Sequence, residues 1–203
     1  MRTLVLVTGV ALLLSGCSLF RSNAKPEQSY VLRPAAAPAA ARPAPVGVQL
    51  LRPAVEPGLD STRIALSRPG NRLDYFAVAR WTGTLGEVWQ SLASQRFRAS
   101  GAFATVDTDR GGFGATYVVA ITVRRFEAEY GADEQAAPTA RVLLEVTVGD
   151  RSTRTTLASF DVTTESPATA NRQGAVVEAL ERAANDAITQ VIERSAGALA
   201  DKR

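Results

Sequence analysis

Carboxylates supply the recurrent candidates for chemistry in this chain. Asp107 with Asp109, Glu127 with Glu129, and Asp133 with Glu134 are close in sequence. Such pairs can do general acid–base work when burial or mutual coupling drives their pKa values apart. Each pair, however, adjoins a turn or falls on the polar side of a predicted strand, where water keeps both groups ionised. The 203 residues include no histidine and a single cysteine, Cys17. That excludes Ser/His/Asp and Cys/His nucleophilic sites and most zinc arrangements. Gly111, Gly112 and Gly114 lack the Lys-Ser/Thr of a phosphate-binding loop, and their spacing is not that of a dinucleotide-binding turn. They read as a loop. Arg124-Arg125 has the charge to hold a phosphate, but two arginines inside a long strand fit better with a bulge that turns one outward. No catalytic residue, metal site or cofactor is expected, and the chain reads as a non-enzyme.

The aromatic residues Tyr75, Phe76 and Trp81 surround a passage from strand to helix, with Trp89 two turns further on. Core packing is the default for residues at this spacing. The alternative is an apolar groove for a lipid tail or a partner's segment.

Cys17 has a chemistry of its own. It follows Arg2, an apolar run from Leu4 to Leu14, and the small residues Ser15-Gly16, the three zones of a secretory signal peptide. That run rises about 16 Å as a helix, about half of a bilayer's hydrocarbon core. Residues 1–16 are therefore a removed leader, not a membrane span. Leu14-Ser15-Gly16-Cys17 resembles the lipobox of bacterial lipoproteins, in which the cysteine becomes the acylated first residue of the mature protein. Acyl chains bury methylenes at about 0.8 kcal/mol each, so two or more make attachment effectively permanent. Ser18, rather than Asp, follows the cysteine, which favours the outer membrane, facing the periplasm. With its one thiol lipidated, the fold rests on its core and not on a disulfide.

Residues 17–100 carry eleven basic and five acidic side chains, and residues 101–203 eleven and fifteen. The basic half would suit anionic head groups or an acidic partner, although a solvated surface explains it as simply. A net charge of +3 is no nucleic-acid footprint.

Several elements must position these residues. Residues 17–45 are a lipidated N-terminus with a Pro/Ala-rich stretch from Pro34 to Pro45, extended and semi-stiff. Tyr30-Val31-Leu32 is either a short strand within 28–33 or part of the tether. Alternation predicts strands at Val46–Leu50, Ile64–Leu66 and Leu73–Ala79. Leu85, Val88, Trp89 and Leu92 then fall at helical spacing, with Thr84 and Glu87 as a capping box and Gly101 as the stop. Further strands follow at Phe103–Val106, Thr116–Tyr130, Val142–Val148 and Ala158–Val162. The long one carries a phase shift at Arg124-Arg125, and the Gly149–Ser152 turn makes the last two a hairpin. Thr169 or Asn171 caps a closing helix to about Gly197, with Val176, Leu180, Ala183, Ala187, Val191 and Ser195 as its stripe. Half-buried strands with two helices predict an α+β domain over 46–199: a two-layer sandwich, mainly antiparallel sheet with two helices on one face.

The order of these residues resembles the ABC-type transport auxiliary lipoproteins, which work with Mce-type lipid-transport systems. The resemblance is carried by the lipobox, Tyr30-Val31-Leu32, Val46-Gly47-Val48-Gln49-Leu50, Arg63-Ile64-Ala65-Leu66, Leu73-Asp74-Tyr75-Phe76, Arg80-Trp81 and Gly101–Val106. It implies an outer-membrane lipoprotein that docks a periplasmic Mce-domain protein, itself served by an inner-membrane permease and ATPase, with phospholipid or another hydrophobic molecule as cargo. It carries over no catalytic residue. Tyr75 and Trp81 are the matched positions expected at a partner contact. A ring-shaped partner would favour several copies of this chain acting together as a homo-oligomer. The rival reading is an outer-membrane assembly lipoprotein of the secretin-pilot or lipopolysaccharide-assembly type.

Overall fold

The computed structural model describes residues 26–36, 42–108 and 115–202. The leader, Cys17, Asp109 and the glycine loop at 111–114 lie outside the described residues. In chain order the elements are β1 Gln28–Tyr30, β2 Ala44–Leu50, β3 Ala54–Val55, β4 Arg63–Arg68, β5 Arg72–Trp81, α1 Leu85–Ala99, β6 Phe103–Thr108, β7 Tyr117–Glu129, β8 Thr139–Asp150, β9 Thr155–Pro167 and α2 Gln173–Leu199.

β7 organises the sheet because thirteen residues of alternating β-formers give it two long edges. Along one edge it pairs antiparallel with β8, which pairs antiparallel with β9. Along the other, three short strands run parallel to it in succession: β2 beside Tyr117–Val119, β3 beside Thr122-Val123 and β4 beside Ala128-Glu129. β2 continues to β6 in parallel, while β4 pairs antiparallel with β5, whose last residues pair parallel with β1.

The fold is α+β, but its sheet is mixed and not mainly antiparallel. Alternation reports which strands have one covered face. It carries no information on strand direction, which here is set by pairings between segments as distant as 48 and 117.

The register of β7 slips between Val123 and Arg125, at the expected bulge. Tyr117, Val119, Ile121 and Val123 are buried before it, and Phe126, Ala128 and Tyr130 after it. The neighbouring edge breaks at the same level. Glu56 still donates to the Val123 carbonyl, at 3.0 Å, and the chain then leaves the sheet until β4.

Both helices pack on the sheet's buried side chains and touch each other. In α1, Glu87 Oε2 accepts the Thr84 N–H at 2.9 Å, and Gly101 follows the C-cap at φ +62°, a left-handed backbone suited to glycine. In α2 the expected stripe is buried throughout, widened by Ala184, Ile188 and Ile192. Its start corrects the expectation, because Arg172 in extended conformation is the N-cap. Asn171 is spent elsewhere: its Oδ1 accepts the Tyr130 hydroxyl at 2.9 Å, and its Nδ2 donates to the carbonyls of Glu134 and Gln135. β9 also runs past Val162 to Pro167. Its inward Thr164 donates to the Ala183 carbonyl at 2.7 Å, and Ser166 accepts from Arg182, so two polar residues continue an apolar face.

Candidate functional site

β5 carries both residues expected at a partner contact, and it treats them differently. Trp81 is 2% exposed. Its ring lies 5.7 Å from that of Phe126, which Trp89 meets edge-on at 5.3 Å. This is a core cluster joining β5, α1 and β7 just beyond the bulge, and Trp81 acts there as a support behind the surface. Tyr75 is half-buried. Its hydroxyl donates to the Gly58 carbonyl at 2.9 Å, and the Arg63 guanidinium sits 3.6 Å from its ring centroid. Tyr75 thereby holds the 56–62 excursion against the β4–β5 hairpin.

Sequence reasoning missed the irregularity between them. Ala65 registers with Tyr75 and Arg63 with Arg80, so Ile64 alone faces the four β5 residues Phe76–Ala79. This wide bulge pushes Ala77 and Val78 outward at the edge of the sheet. Leu73 is 46% exposed and Val78 37%. Together with Val31, just past β1, they are the exposed large hydrophobic residues among those described. All three lie on or beside the β1–β5 edge. No sequence signal marks it, because Leu73–Ala79 looks like an ordinary strand.

Charges around this edge are paired. Arg68 donates to Asp74 at 3.2 Å and to Glu134 at 2.6 Å, Arg72 reaches Glu134, and Arg80 reaches Glu27. Such exposed pairs contribute little stability each, but they leave these charges neutralised along the edge.

The carboxylates are placed for structure. Glu127 is buried and accepts Arg125 Nε at 2.6 Å and the Phe126 N–H at 2.9 Å. Arg125 also binds Glu129, which Arg141 shares with Glu165. Arg124 forks between Glu145 and Glu56. Neither arginine of the pair is left for a phosphate. The hydrogen bond from Arg125 holds Glu129 below the ordinary glutamate range. The Tyr75 N–H does the same for Asp74, and the Ser152 hydroxyl for Asp150. General acid catalysis needs the opposite shift. Among the described residues, no group of three or more acidic or sulfur ligands is placed to hold a metal ion.

Two recesses open elsewhere. One, of about 610 Å³, is lined by Ala35, Arg96, Thr164, Asn185, Asp186 and Thr189. The other, of about 600 Å³, is lined by Arg52, Glu87, Gln90, Ser91, Ser94 and Arg98. Polar and charged side chains line both, alongside apolar surface of similar extent. No described helix is long and apolar enough to cross a membrane.

Residues 30–192 match the family model for the ABC-type transport auxiliary lipoprotein component. No curated protein matches the chain. Among solved structures, a protein from Xanthomonas campestris is similar at TM-score 0.77 and 24% identity, over 84% of this chain and 95% of that one. A hypothetical protein from Chlamydia trachomatis is similar at TM-score 0.52 and 10% identity, over 77% of this chain and 98% of the other. At these identities the likeness is one of fold.

Proposed function

The chain belongs to the ABC-type transport auxiliary lipoprotein family, and from that premise we propose that it is the outer-membrane component of an Mce-type lipid-transport system. In this reading Cys17 carries the acyl chains, the domain faces the periplasm, and its work is contact rather than reaction. The periplasmic Mce assembly docks on the β1–β5 edge, with Leu73, Tyr75 and Val78 as the contact and Trp81 as the rigid support beneath. Several copies around a ring-shaped partner would multiply a weak contact by avidity.

One observation supports this site above others: the exposed large hydrophobic residues among those described are strung along one sheet edge, Leu73 and Val78 on β5 and Val31 just past β1, with paired charges beside them. A bulged edge resists indiscriminate strand pairing, which suits a surface kept for one partner.

The test is purification of the lipidated protein from envelopes together with candidate Mce-domain proteins. Co-purification that is lost in Leu73→Glu and Val78→Glu supports the reading. Capture of a secretin or an outer-membrane barrel instead would favour the assembly reading. Cys17→Ser should release the protein from the membrane fraction, and its retention there would overturn the anchorage.

A further inference from the structure

The segment after β1 has almost nothing with which to hold itself in place. Among Val31–Ala36, Leu32 is the buried side chain, and the rest are exposed. Its main chain is nevertheless fully gripped at two alternate residues. The Arg33 N–H donates to Glu181 Oε2 at 2.8 Å, and the Arg33 carbonyl accepts Asn185 Nδ2 at 2.9 Å. The Ala35 N–H donates to Asn185 Oδ1 at 2.7 Å, and the Ala35 carbonyl accepts an Arg96 guanidinium N–H at 2.5 Å.

Side chains of α1 and α2 thus do what a neighbouring strand does, reading the donor and acceptor of residues i and i+2. Pro34 stands between them, where its missing N–H is not needed. At Arg33 and Ala35 the grip uses backbone alone, and Leu32 adds the segment's one buried side chain.

Two features make this grip reversible. β1 adds only three register pairs, Gln28–Tyr30 against Ala79–Trp81, so beyond them opening gives up only the burial of Leu32 and the partial burial of Tyr30. Arg96, at the centre of the clamp, is 2% exposed. Among the described residues, its guanidinium hydrogen-bonds the Ala35 carbonyl and Thr189, its Nε has no partner, and no carboxylate pairs with it. Desolvation accordingly depresses its pKa, and Asp186 offsets this only through space. A buried cation of this kind regains hydration when the segment lifts, which opposes permanent closure.

We propose that residues 27–36 are a releasable strap, clamped by Asn185, Glu181 and Arg96, whose opening lengthens the protein's tether. The reach rests on the lipid anchor at Cys17 proposed above. With the strap closed, eleven residues separate Cys17 from β1 and span at most about 40 Å. With it open, 27 residues lead to β2 and span at most about 95 Å. The gain exceeds the size of the domain itself, whose radius of gyration is about 15 Å for this length. The strap would let Leu73, Tyr75 and Val78 of β5 travel from the bilayer surface to a distant partner, and opening would also bare the edge of β5 that β1 covers.

Hydrogen exchange on the full lipoprotein in anionic phospholipid vesicles tests the strap. The Arg33 and Ala35 amides should exchange through local opening, well ahead of the β7–β8 amides. Asn185→Leu removes two of the four bonds and should speed that exchange about 30-fold, and Glu181→Ala, at a half-exposed site, about 5-fold. The β7–β8 amides should stay unchanged in Glu181→Ala. Joining Ser29→Cys to Arg80→Cys, a register pair, should suppress opening. Exchange of Arg33 and Ala35 only together with the β7–β8 amides would overturn the strap, as would no protection at all. Energy transfer from a dye on the domain to the bilayer reads the reach. Opening without a change of height overturns the reach, and absence of vesicle binding overturns the anchorage beneath it.

Discussion

Phe126 decides whether the long central strand is read correctly. Val119, Ile121 and Val123 are odd-numbered and face the core, so an unbulged strand would place Phe126 on the opposite face with Val118, Ala120 and Thr122. The slip between Val123 and Arg125 puts it inward, 1% exposed, against both Trp81 and Trp89. Truncating a buried Phe to Ala typically costs about 3–5 kcal/mol through lost transfer energy and the cavity left behind. Each aromatic pair adds about 0.5–1.5 kcal/mol beyond area. Phe126→Ala should therefore destabilise by about 4–5 kcal/mol, lowering the melting midpoint by more than about 8 °C for a domain of this size. Thr122→Ala, on the other face of the same strand, should stay within about 1 kcal/mol. Equilibrium urea unfolding followed by tryptophan fluorescence measures both, with an unchanged m value as the check on two-state behaviour. A cost below about 1 kcal/mol for Phe126→Ala, or equal costs for the two variants, would refute the bulge and the aromatic cluster built on it.

Trp81→Ala should destabilise by about 3–5 kcal/mol, whereas Leu73→Glu and Val78→Glu should leave urea midpoints nearly unchanged while weakening partner capture. That separation distinguishes support from contact. Arg154, at φ +56° in the β8–β9 turn, occupies a backbone region costly to a residue with a Cβ, and Arg154→Gly should stabilise by about 0.5–1 kcal/mol in the same assay. Asp150 accepts the Ser152 hydroxyl and the N–H groups of Ser152 and Thr153, which hold its pKa down. Its folded value lies below its unfolded one, so its contribution is present above the unfolded pKa and is lost as pH falls through the folded pKa. Carboxyl NMR titration should find Asp150 below the ordinary aspartate range and Ser152→Ala raising it, and an unshifted value in the parent would sink this account of the turn.

Much of the local structure was legible because its causes are local. The closing helix shows its stripe from Val176 to Ser195 in the spacing of apolar residues, and α1 shows its start in Thr84 and Glu87. The bulge is visible as a change of phase after Val123, since a strand with one buried face must keep its parity. Where a residue's use depends on a distant neighbour, the same reasoning failed. Asn171 reads as a helix cap until Tyr130 takes its side chain. Trp81 fits either core packing or a partner contact until Phe126 is seen to cover it. Thr164 and Ser166 fall beyond the predicted strand Ala158–Val162, and only α2 shows why β9 continues through them.

By itself, then, the sequence determined the types of the long elements, the lone cysteine, and the want of histidine for nucleophilic catalysis. Periodicity, capping and composition are properties of neighbours along the chain. Only the tertiary structure decided that three strands run parallel to one edge of β7, that the exposed apolar residues share the β1–β5 edge, and that Asn185 and Arg96 grip the backbone at Arg33 and Ala35. Those arrangements join groups up to 152 residues apart, and contacts between complementary surfaces must offset the entropy of closing such long loops, which no window of sequence contains.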